Sequence, residues 1–341
     1  MTFGRTYASI ALTNLFGNFS GSFKYEGNIL APNGKIYCCP RTASQILVID
    51  PSNNTTSLFG NITGSNKYIG NVLAQNGKIY CAPFSAVEIL VIDPDTNTTE
   101  LFGNFVGNNK YAGNVLAQNG KIYCCPYNAT QILVIDPSNN TTSLFGTITG
   151  NDKYAGNVLA QNGKIYCAPY NATQILVIDP DTNTTELFGN FTGNAKYAGL
   201  VLAPNGKIYC IPLNATQILV IDPSNNTTEL FGNFTGSNKY FGATLAQNGK
   251  IYCAPFSAVE ILVIDPNTNT TEFLGNFLGG NKYAGNALAQ NGKIYCAPSN
   301  AVEILEILGV NIPNIIGIDA QIPANLADLP TSNYNKYYNK L

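Results

Sequence analysis

The chain has 341 residues and a formal net charge of −2 at pH 7, and 11% of its residues are charged, against about 25% in an average globular protein. It contains no basic block that would follow a phosphate backbone, which argues against a nucleic-acid partner. No apolar run approaches the roughly 18 residues that a membrane-spanning helix needs, which argues against membrane insertion.

The first residues, MTFGRTYASIALTNLFG, lack the long apolar core and the small-residue cleavage site of a secretory signal peptide. Nine cysteines, an odd number spaced by a repeat, do not resemble the disulfide framework of a secreted protein. We therefore expect synthesis in a reducing cytoplasm. Residues 1–9 are predicted to form a short lead-in to the repeats.

From residue 10 onward the sequence repeats every 43 residues, seven times and without an insertion. The segment LFG, or its variant FLG, begins at Leu15, Leu58, Leu101, Leu144, Leu187, Leu230 and Phe273. The segment GKIYC begins at Gly34, Gly77, Gly120, Gly163, Gly206, Gly249 and Gly292. A period of this length with four strand signals is typical of a propeller blade. The sequence therefore predicts an all-β, seven-bladed β-propeller of four-stranded antiparallel blades over residues 10–310.

Residues 154–189 illustrate the four strands predicted for each copy. YAGNVLA ends at Asn162–Gly163, a strong hairpin signal because both residues tolerate positive φ. KIYCAP stops at Pro169, QILVID ends at Asp179–Pro180, and ELFGNF follows the turn DPDTNTT. The run Ile175–Ile178 is apolar on both faces, as expected of a blade that packs between two neighbours.

The two ends of the repeat array are offset in a complementary way. Residues 10–19 match the fourth strand of a copy, whereas the seventh copy stops after its third strand, Val302 to Leu308. We expect the N-terminal strand to complete the seventh blade and thereby to close the ring.

The order of apolar strand, N-G-K-I-Y, short loop, I-L-V-I-D-P and polar turn resembles the blades of NHL- and YVTN-type seven-bladed propellers, in all seven copies. The near-identical blades are also similar to those of some viral virion proteins and microbial repeat proteins. The resemblance implies that the YAGNVLA strand lies nearest the central channel and that ligands are contacted at one face. It implies no catalytic residues.

The position after the proline of KIYCxP varies more than any other in the repeat. Its residues are Arg41, Phe84, Tyr127, Tyr170, Leu213, Phe256 and Ser299. One interpretation is a binding rim for a carbohydrate, a peptide or a protein surface, because aromatic side chains supply flat amphipathic area. The other is that these residues cover the blade edge and vary because nothing constrains them.

Two rings of polar residues are predicted near the channel. The first ring consists of seven lysines, which either attract an anionic group or form a solvated edge. They are Lys24, Lys67, Lys110, Lys153, Lys196, Lys239 and Lys282. The second ring consists of five asparagines, and two copies carry Leu200 and Ala243 at the same position. The five are Asn28, Asn71, Asn114, Asn157 and Asn286. We expect these amides to satisfy inner-strand backbone groups, with ordered water or a small polar ligand as the alternative.

One cysteine recurs in each copy, and Cys39 and Cys125 stand beside two of the seven. The seven are Cys38, Cys81, Cys124, Cys167, Cys210, Cys253 and Cys296. Because strands lie about 4.8 Å apart, neighbouring blades should separate these residues by roughly 10 Å, too far for a disulfide or a tetrahedral metal site. We expect small buried hydrophobic residues, no metal and no cofactor.

The sequence contains no histidine and only two arginines, Arg5 and Arg41. Histidine-based acid–base chemistry is therefore excluded. Most acidic residues lie in repeated turns, and we expect seven-fold repetition not to build one asymmetric site, so the chain is predicted not to be an enzyme.

Residues 311–341 break the repeat. Their tyrosines Tyr334, Tyr337 and Tyr338 are predicted either to pack back on the ring or to dock to a partner. Two functional classes follow from the whole sequence. The first is a structural or attachment module that acts as a protein-interaction platform, as part of a larger particle such as a virion. The alternative is a soluble glycan- or small-ligand-binding propeller that uses the variable rim.

Overall fold

A computed structural model describes residues 12–308, which form 28 β-strands and no helix. The predicted lead-in at residues 1–9 and the tail with Tyr334, Tyr337 and Tyr338 lie outside the described residues. Between residues 12 and 308, no helix long and apolar enough to cross a membrane is found.

The strands group into blades in chain order, after a first strand β1 (Thr13–Phe16). Blade 1 contains β2 (Tyr25–Leu30), β3 (Ile36–Pro40), β4 (Ile46–Asp50) and β5 (Thr55–Phe59), and blade 2 contains β6 (Val72–Leu73), β7 (Ile79–Cys81), β8 (Ile89–Asp93) and β9 (Thr98–Phe102). Blade 3 contains β10 (Tyr111–Leu116), β11 (Ile122–Pro126), β12 (Ile132–Asp136) and β13 (Thr141–Phe145), and blade 4 contains β14 (Tyr154–Leu159), β15 (Ile165–Pro169), β16 (Ile175–Asp179) and β17 (Thr184–Phe188). Blade 5 contains β18 (Tyr197–Leu202), β19 (Ile208–Pro212), β20 (Ile218–Asp222) and β21 (Thr227–Phe231), and blade 6 contains β22 (Tyr240–Leu245), β23 (Ile251–Pro255), β24 (Ile261–Asp265) and β25 (Thr270–Leu274). Blade 7 contains β26 (Tyr283–Leu288), β27 (Ile294–Pro298) and β28 (Ile304–Ile307).

Each blade is a four-stranded antiparallel sheet whose strands follow one another from the axis outward. The first strands of neighbouring blades contact one another around the ring, so the YAGNVL strand is the innermost, as the resemblance implied. Strand β1 pairs antiparallel with β28, with Thr13 opposite Ile307 and Phe16 opposite Ile304. The seven-bladed fold and its closure by the N-terminal strand are therefore confirmed.

Burial differs sharply between the strands of a blade. Every residue of β3 is buried, as are the four apolar residues of β4, whereas β5 is mostly exposed. Seven hydrophobic clusters each span two adjacent blades, and in one of them Tyr37 and Ile46 of blade 1 pack with Ile79 and Leu90 of blade 2. The blades are thus held mainly by burial of β-branched and aromatic side chains, at about 1.5–3 kcal/mol for each large side chain.

The tyrosine of each KIYC segment ties its blade to the next one. Tyr37 is fully buried, and two acceptors lie 3.0 Å from its hydroxyl oxygen, the carbonyl oxygen of Pro94 and Asn97 Oδ1, which share its one hydrogen. The Asn71 side chain donates to the Tyr37 carbonyl oxygen at 3.0 Å. Tyr295 of blade 7 contacts Asn54 of blade 1 in the same way, so the last interface repeats the others. This accounts for the strict repetition of N-G-K-I-Y and the Asp-Pro turn.

The axis is too crowded for side chains at one level of the ring. Gly27 has φ +94° and lies where the register between Tyr25 and Asn28 shifts. A Cβ atom on Gly27 would approach the Cα of Gly70, the equivalent glycine of blade 2, to 2.8 Å. Glycine is therefore required here both by the backbone conformation and by the contact with the next blade.

The cysteines depart from expectation at two blade interfaces. All nine are buried and free. Cys39 of blade 1 contacts Cys81 of blade 2, and Cys125 contacts Cys167 in the same way. The expected separation ignored Cys39 and Cys125, which stand one residue further along the strand and on its opposite face. In residues 12–308, no three His, Cys, Asp or Glu side chains cluster as metal ligands would.

Candidate functional site at the ring axis

The two faces of the ring carry different connections. The turn face carries the Asn-Gly hairpins and the Asp-Pro turns, which hydrogen-bond to each other, as Asn33 does to the carbonyl oxygen of Pro94. The loop face carries the loops that follow the second strands and the connections that enter each blade. Their backbones also interlock, because Lys67 N donates to the Arg41 carbonyl oxygen of the preceding blade.

A cavity of about 250 Å³ opens on the loop face. Its lining comes from the blades and entering connections all around the ring, so the cavity lies on the ring axis. We call it the axial cavity, and it is lined by Phe23, Glu26, Arg41, Ile69, Phe84, Ala112, Tyr127, Ala155, Tyr170, Leu213, Asn238, Phe241, Phe256 and Asn281.

The variable positions converge on this cavity. Six of the seven line it, namely Arg41, Phe84, Tyr127, Tyr170, Leu213 and Phe256. Ser299 is fully buried, does not line the cavity, and has a hydroxyl without a partner among the described residues. The predicted rim is thus an inward-facing wall, and these residues do not cover the outer blade edge.

Aromatic rings form a continuous wall over blades 2 to 4. The ring centroids of Phe84 and Tyr127 lie 5.4 Å apart, and those of Tyr127 and Tyr170 lie 5.3 Å apart. A second pair, Phe241 and Phe256 of blade 6, has its centroids 5.6 Å apart. These separations are typical of favourable aromatic contacts. The cavity therefore presents flat apolar surface on two sides.

Blade 1 breaks this apolar wall with an ion pair. Glu26 is only 2% exposed, and its Oε2 accepts a hydrogen bond from Nη1 of Arg41. Arg41 Nε donates to Asn66 Oδ1 at 3.0 Å, and the guanidinium carbon lies 4.8 Å from the centre of the Phe23 ring. The carboxylate orients the guanidinium from one side, and the aromatic face supports it by a cation–π contact.

Burial controls the titration of the cavity groups. It raises the pKa of Glu26, and the adjacent Arg41 guanidinium opposes that rise. Burial also raises the pKa of Tyr170. The Glu26 charge raises this pKa further, and the Arg41 charge lowers it. The pKa of Tyr127 is raised by burial and further by Tyr170 and Asp152 beside it. Both phenols are therefore neutral hydrogen-bonding groups at neutral pH.

Sequence reasoning missed Glu26, Phe23 and Phe241 as cavity residues. A signal existed for Glu26, because the equivalent residues are uncharged, namely Ile69, Ala112, Ala155, Ala198, Phe241 and Ala284. Arg41 is likewise the single charged residue at its repeat position. Two unique and opposite charges in one copy indicate a pair. The expectation that seven-fold repetition builds no asymmetric site is therefore wrong, since one blade differs from the other six at the axis.

The seven lysines of the loop face are neither a solvated edge nor an anion site. They are 2–6% exposed, and their ammonium groups donate to backbone carbonyl oxygens. Lys24 Nζ reaches the carbonyl oxygens of Gly21, Ser299 and Ala301 at 2.8–2.9 Å. Among the described residues, four of the ammonium groups connect the loops of adjacent blades, and the other three donate only to the glycine carbonyl oxygen three residues earlier. The four are those of Lys24, Lys67, Lys110 and Lys282.

The asparagine ring sits between inner strands. The Asn28 side chain donates to the Tyr295 carbonyl oxygen at 2.8 Å, and the other four make the equivalent contact with the preceding blade. Four of the amide oxygens have no hydrogen-bond donor among residues 12–308. Asn28 Oδ1 lies 2.7 Å from the position that a Cβ on Gly285 would occupy, so the asparagine ring also requires glycine at the axis.

No family model matches the chain, and no curated protein matches its sequence. Among solved structures, a streptogramin B lyase superposes with a TM-score of 0.74 and 16% identity, covering 86% of this chain and 96% of that one. A hydrazine synthase of Kuenenia stuttgartiensis superposes with a TM-score of 0.64 and 11% identity, covering 90% of this chain and 99% of that one.

These likenesses show the fold alone. They overturn the prediction that the chain is not an enzyme, because streptogramin B and virginiamycin B lyases are enzymes on the same seven-bladed architecture. A ring of similar blades therefore does not argue against catalysis. At 14–16% identity the lyases assign no reaction to this chain.

Proposed function

We propose that this protein binds a small organic ligand, or one side chain of a partner, in the axial cavity. The observation that carries the proposal is the convergence of the most variable repeat positions on one cavity. The structurally required positions, such as Tyr37 and Gly27, keep their identity in all seven copies. That the most variable repeat position lines an axial cavity in six of seven copies is expected of a binding site on a fixed scaffold.

The lining indicates the class of ligand. The cavity of about 250 Å³ is slightly smaller than usual small-molecule sites, which are about 300–1,000 Å³. Aromatic walls on two sides favour a flat apolar body of one or two rings. The resemblance to NHL- and YVTN-type blades, which implied ligand contacts at one face, supports the same proposal.

Filling the cavity tests the proposal. Ala155→Phe places in blade 4 the residue that blade 6 carries at the same repeat position, Phe241, so the fold should tolerate it. Indole and 2-naphthol, followed by saturation-transfer NMR, should bind the native protein with dissociation constants on the order of 1 mM. The variant should lose this binding while its melting temperature stays the same.

Leu230→Ala is the matched control, because Leu230 is 50% exposed on an outer strand. It should bind both probes like the native protein. Equal binding of the probes to native protein and to the Ala155→Phe variant would mean that they sit elsewhere, and the proposal would fail.

A protein-interaction platform is a second candidate, supported by a separate surface. Each outer strand exposes one large apolar side chain to between 42% and 50%, and the seven are Leu15, Leu58, Leu101, Leu144, Leu187, Leu230 and Phe273. A regular apolar belt suits lateral contacts within a larger particle, a virion included. Sedimentation of the native protein and of Leu230→Ala at rising concentration tests it, and a monomer at all concentrations argues against self-assembly.

A further inference from the structure

The Glu26–Arg41 pair is built differently from the lysine–aspartate ion pairs that recur on the turn face. Pairs such as Lys35–Asp50 and Lys78–Asp93 lie on the turn face, with N–O distances of 3.7–3.8 Å and partly exposed side chains. The Glu26–Arg41 pair is buried at the wall of the axial cavity. No equivalent residue in the other six blades is charged. Folding of a blade therefore does not require it.

Both members of the pair have unused hydrogen-bonding capacity. Among residues 12–308, no donor other than Arg41 reaches the Glu26 side chain, so Oε1 accepts no hydrogen bond. Arg41 uses Nε and one hydrogen of Nη1, while Nη2 has no acceptor in the same range. Oε1 is not fully shielded from solvent, and Glu26 lines the cavity, so this oxygen is open to a donor that a ligand carries. The cavity thus offers an acceptor and a donor side by side.

An adjacent acceptor and donor match one common chemical group. In a primary amide or a lactam, the carbonyl oxygen accepts and an N–H on the same edge donates, so that this edge is complementary to a guanidinium beside a carboxylate. A carboxylate ligand would meet Glu26 as a like charge, and an amine would meet Arg41. The neutral edge avoids both repulsions, and the net charge of the pair stays balanced.

Resting on the binding function proposed above, we infer that the ligand of the axial cavity carries an amide or lactam edge on an aromatic body. Arg41 donates a hydrogen bond to the carbonyl oxygen of the ligand, and Glu26 Oε1 accepts one from its N–H. The rings of Tyr127 and Tyr170 contact the aromatic body from the other side of the cavity. Glu26 and Arg41 are thereby the residues that determine specificity, and the aromatic walls supply affinity.

Two isosteric probes test this inference. The lactam 2-quinolinone and the lactone coumarin have the same size and carbonyl, and differ in an N–H against a ring oxygen. In NMR titrations of the native protein, the dissociation constant of 2-quinolinone should be lower than that of coumarin by about tenfold or more. The reason is that coumarin cannot donate the hydrogen bond to the charged acceptor.

The double variant Glu26→Ala, Arg41→Tyr gives blade 1 the residues that blades 3 and 4 carry at these positions, so it should fold like them. It should bind the two probes equally. Tighter binding of 2-quinolinone by the variant as well would overturn the roles of Glu26 and Arg41.

The cavity-filling variant separates the two proposals. If the native protein binds both probes equally and Ala155→Phe abolishes binding, the axial site stands and the amide inference fails. If neither probe binds the native protein, the axial site and the amide inference fail together.

Discussion

At the scale of single residues, the seven buried lysines are an unusual use of charge. Burial lowers the pKa of Lys24 and of Lys196 to about 8, because the ammonium form loses hydration. The lost hydration is compensated unequally. Lys24 Nζ donates to three carbonyl oxygens, and Lys196 Nζ donates to that of Gly193 at 2.8 Å. The two lysines therefore form a natural comparison.

We expect Lys24→Met to lower the free energy of unfolding by about 2–3 kcal/mol, and Lys196→Met by about 1 kcal/mol. The first substitution removes three hydrogen bonds to carbonyl oxygens and the second removes one. Urea denaturation at pH 7 measures both. Equal losses would show that the backbone contacts of Lys24 do not stabilise the ring.

The same variants have a predicted pH dependence. The folded-state pKa lies below the unfolded value of about 10.4, so the unfolded chain binds more protons between pH 8 and 10. The free energy of unfolding of the native protein therefore rises relative to that of the methionine variant as the pH rises through this window. The loss caused by Lys24→Met should be larger at pH 9.5 than at pH 7.

At the scale of strands, the inner glycine decides how closely blades approach the axis. Gly113 has φ +99°, and a Cβ on it would lie 2.7 Å from the Cα of Gly156. Gly77, in a turn-face hairpin, has φ +79° but no atom within 4 Å of its Cβ position. Both positions share the backbone cost of a side chain, and the first adds a backbone clash.

Alanine at these two positions separates the two costs. Gly77→Ala should lower the free energy of unfolding by about 1–2 kcal/mol, the cost of the left-handed conformation. Gly113→Ala should cost about 3 kcal/mol or more, because the adjacent backbone must move as well. Thermal and urea unfolding measure both, and equal losses would contradict the close approach of inner strands.

At the scale of the whole ring, closure depends on a residue that no other blade uses. Glu306 of β28 replaces the valine of the other six third strands, for example Val48, and is 1% exposed. Its carboxylate accepts hydrogen bonds from Asn14 of β1, Asn54 of blade 1, Lys293 and Tyr295. It thus joins the N-terminal strand, the seventh blade and the first blade.

Burial raises the pKa of Glu306, but the hydrogen bonds from Lys293, Asn14 and Tyr295 outweigh burial and hold it below its usual value. A lowered folded-state pKa means that this stabilisation is present above the unfolded pKa and is lost as the pH falls through the folded one. We expect Glu306→Gln to cost about 2–4 kcal/mol at pH 7 and less at pH 3.

Glu229→Gln is the control, since that carboxylate is 59% exposed and pairs with Lys207 at 3.7 Å. It should change the free energy of unfolding by less than about 0.5 kcal/mol at either pH. A loss for Glu306→Gln that is the same at pH 7 and pH 3 would show that its ionised form does not hold the closure.

The sequence was enough to predict the number of blades, the order of strands and the closure by β1. These follow from a 43-residue period, from Asn-Gly and Asp-Pro punctuation and from the offset ends, all of which are local or periodic. It also singled out Arg41, Phe84, Tyr127, Tyr170, Leu213 and Phe256 as variable.

The surroundings of these residues could not be predicted in the same way, because they arise only in the folded ring. The variable residues line an axial cavity, Glu26 faces Arg41 there, and Lys24 is buried. All three features depend on loops that converge from separate repeats. The contact of Cys39 with Cys81 depends on the same convergence. A periodic pattern specifies which side of its own strand a residue occupies, but distances across the axis arise only when seven blades close into a ring.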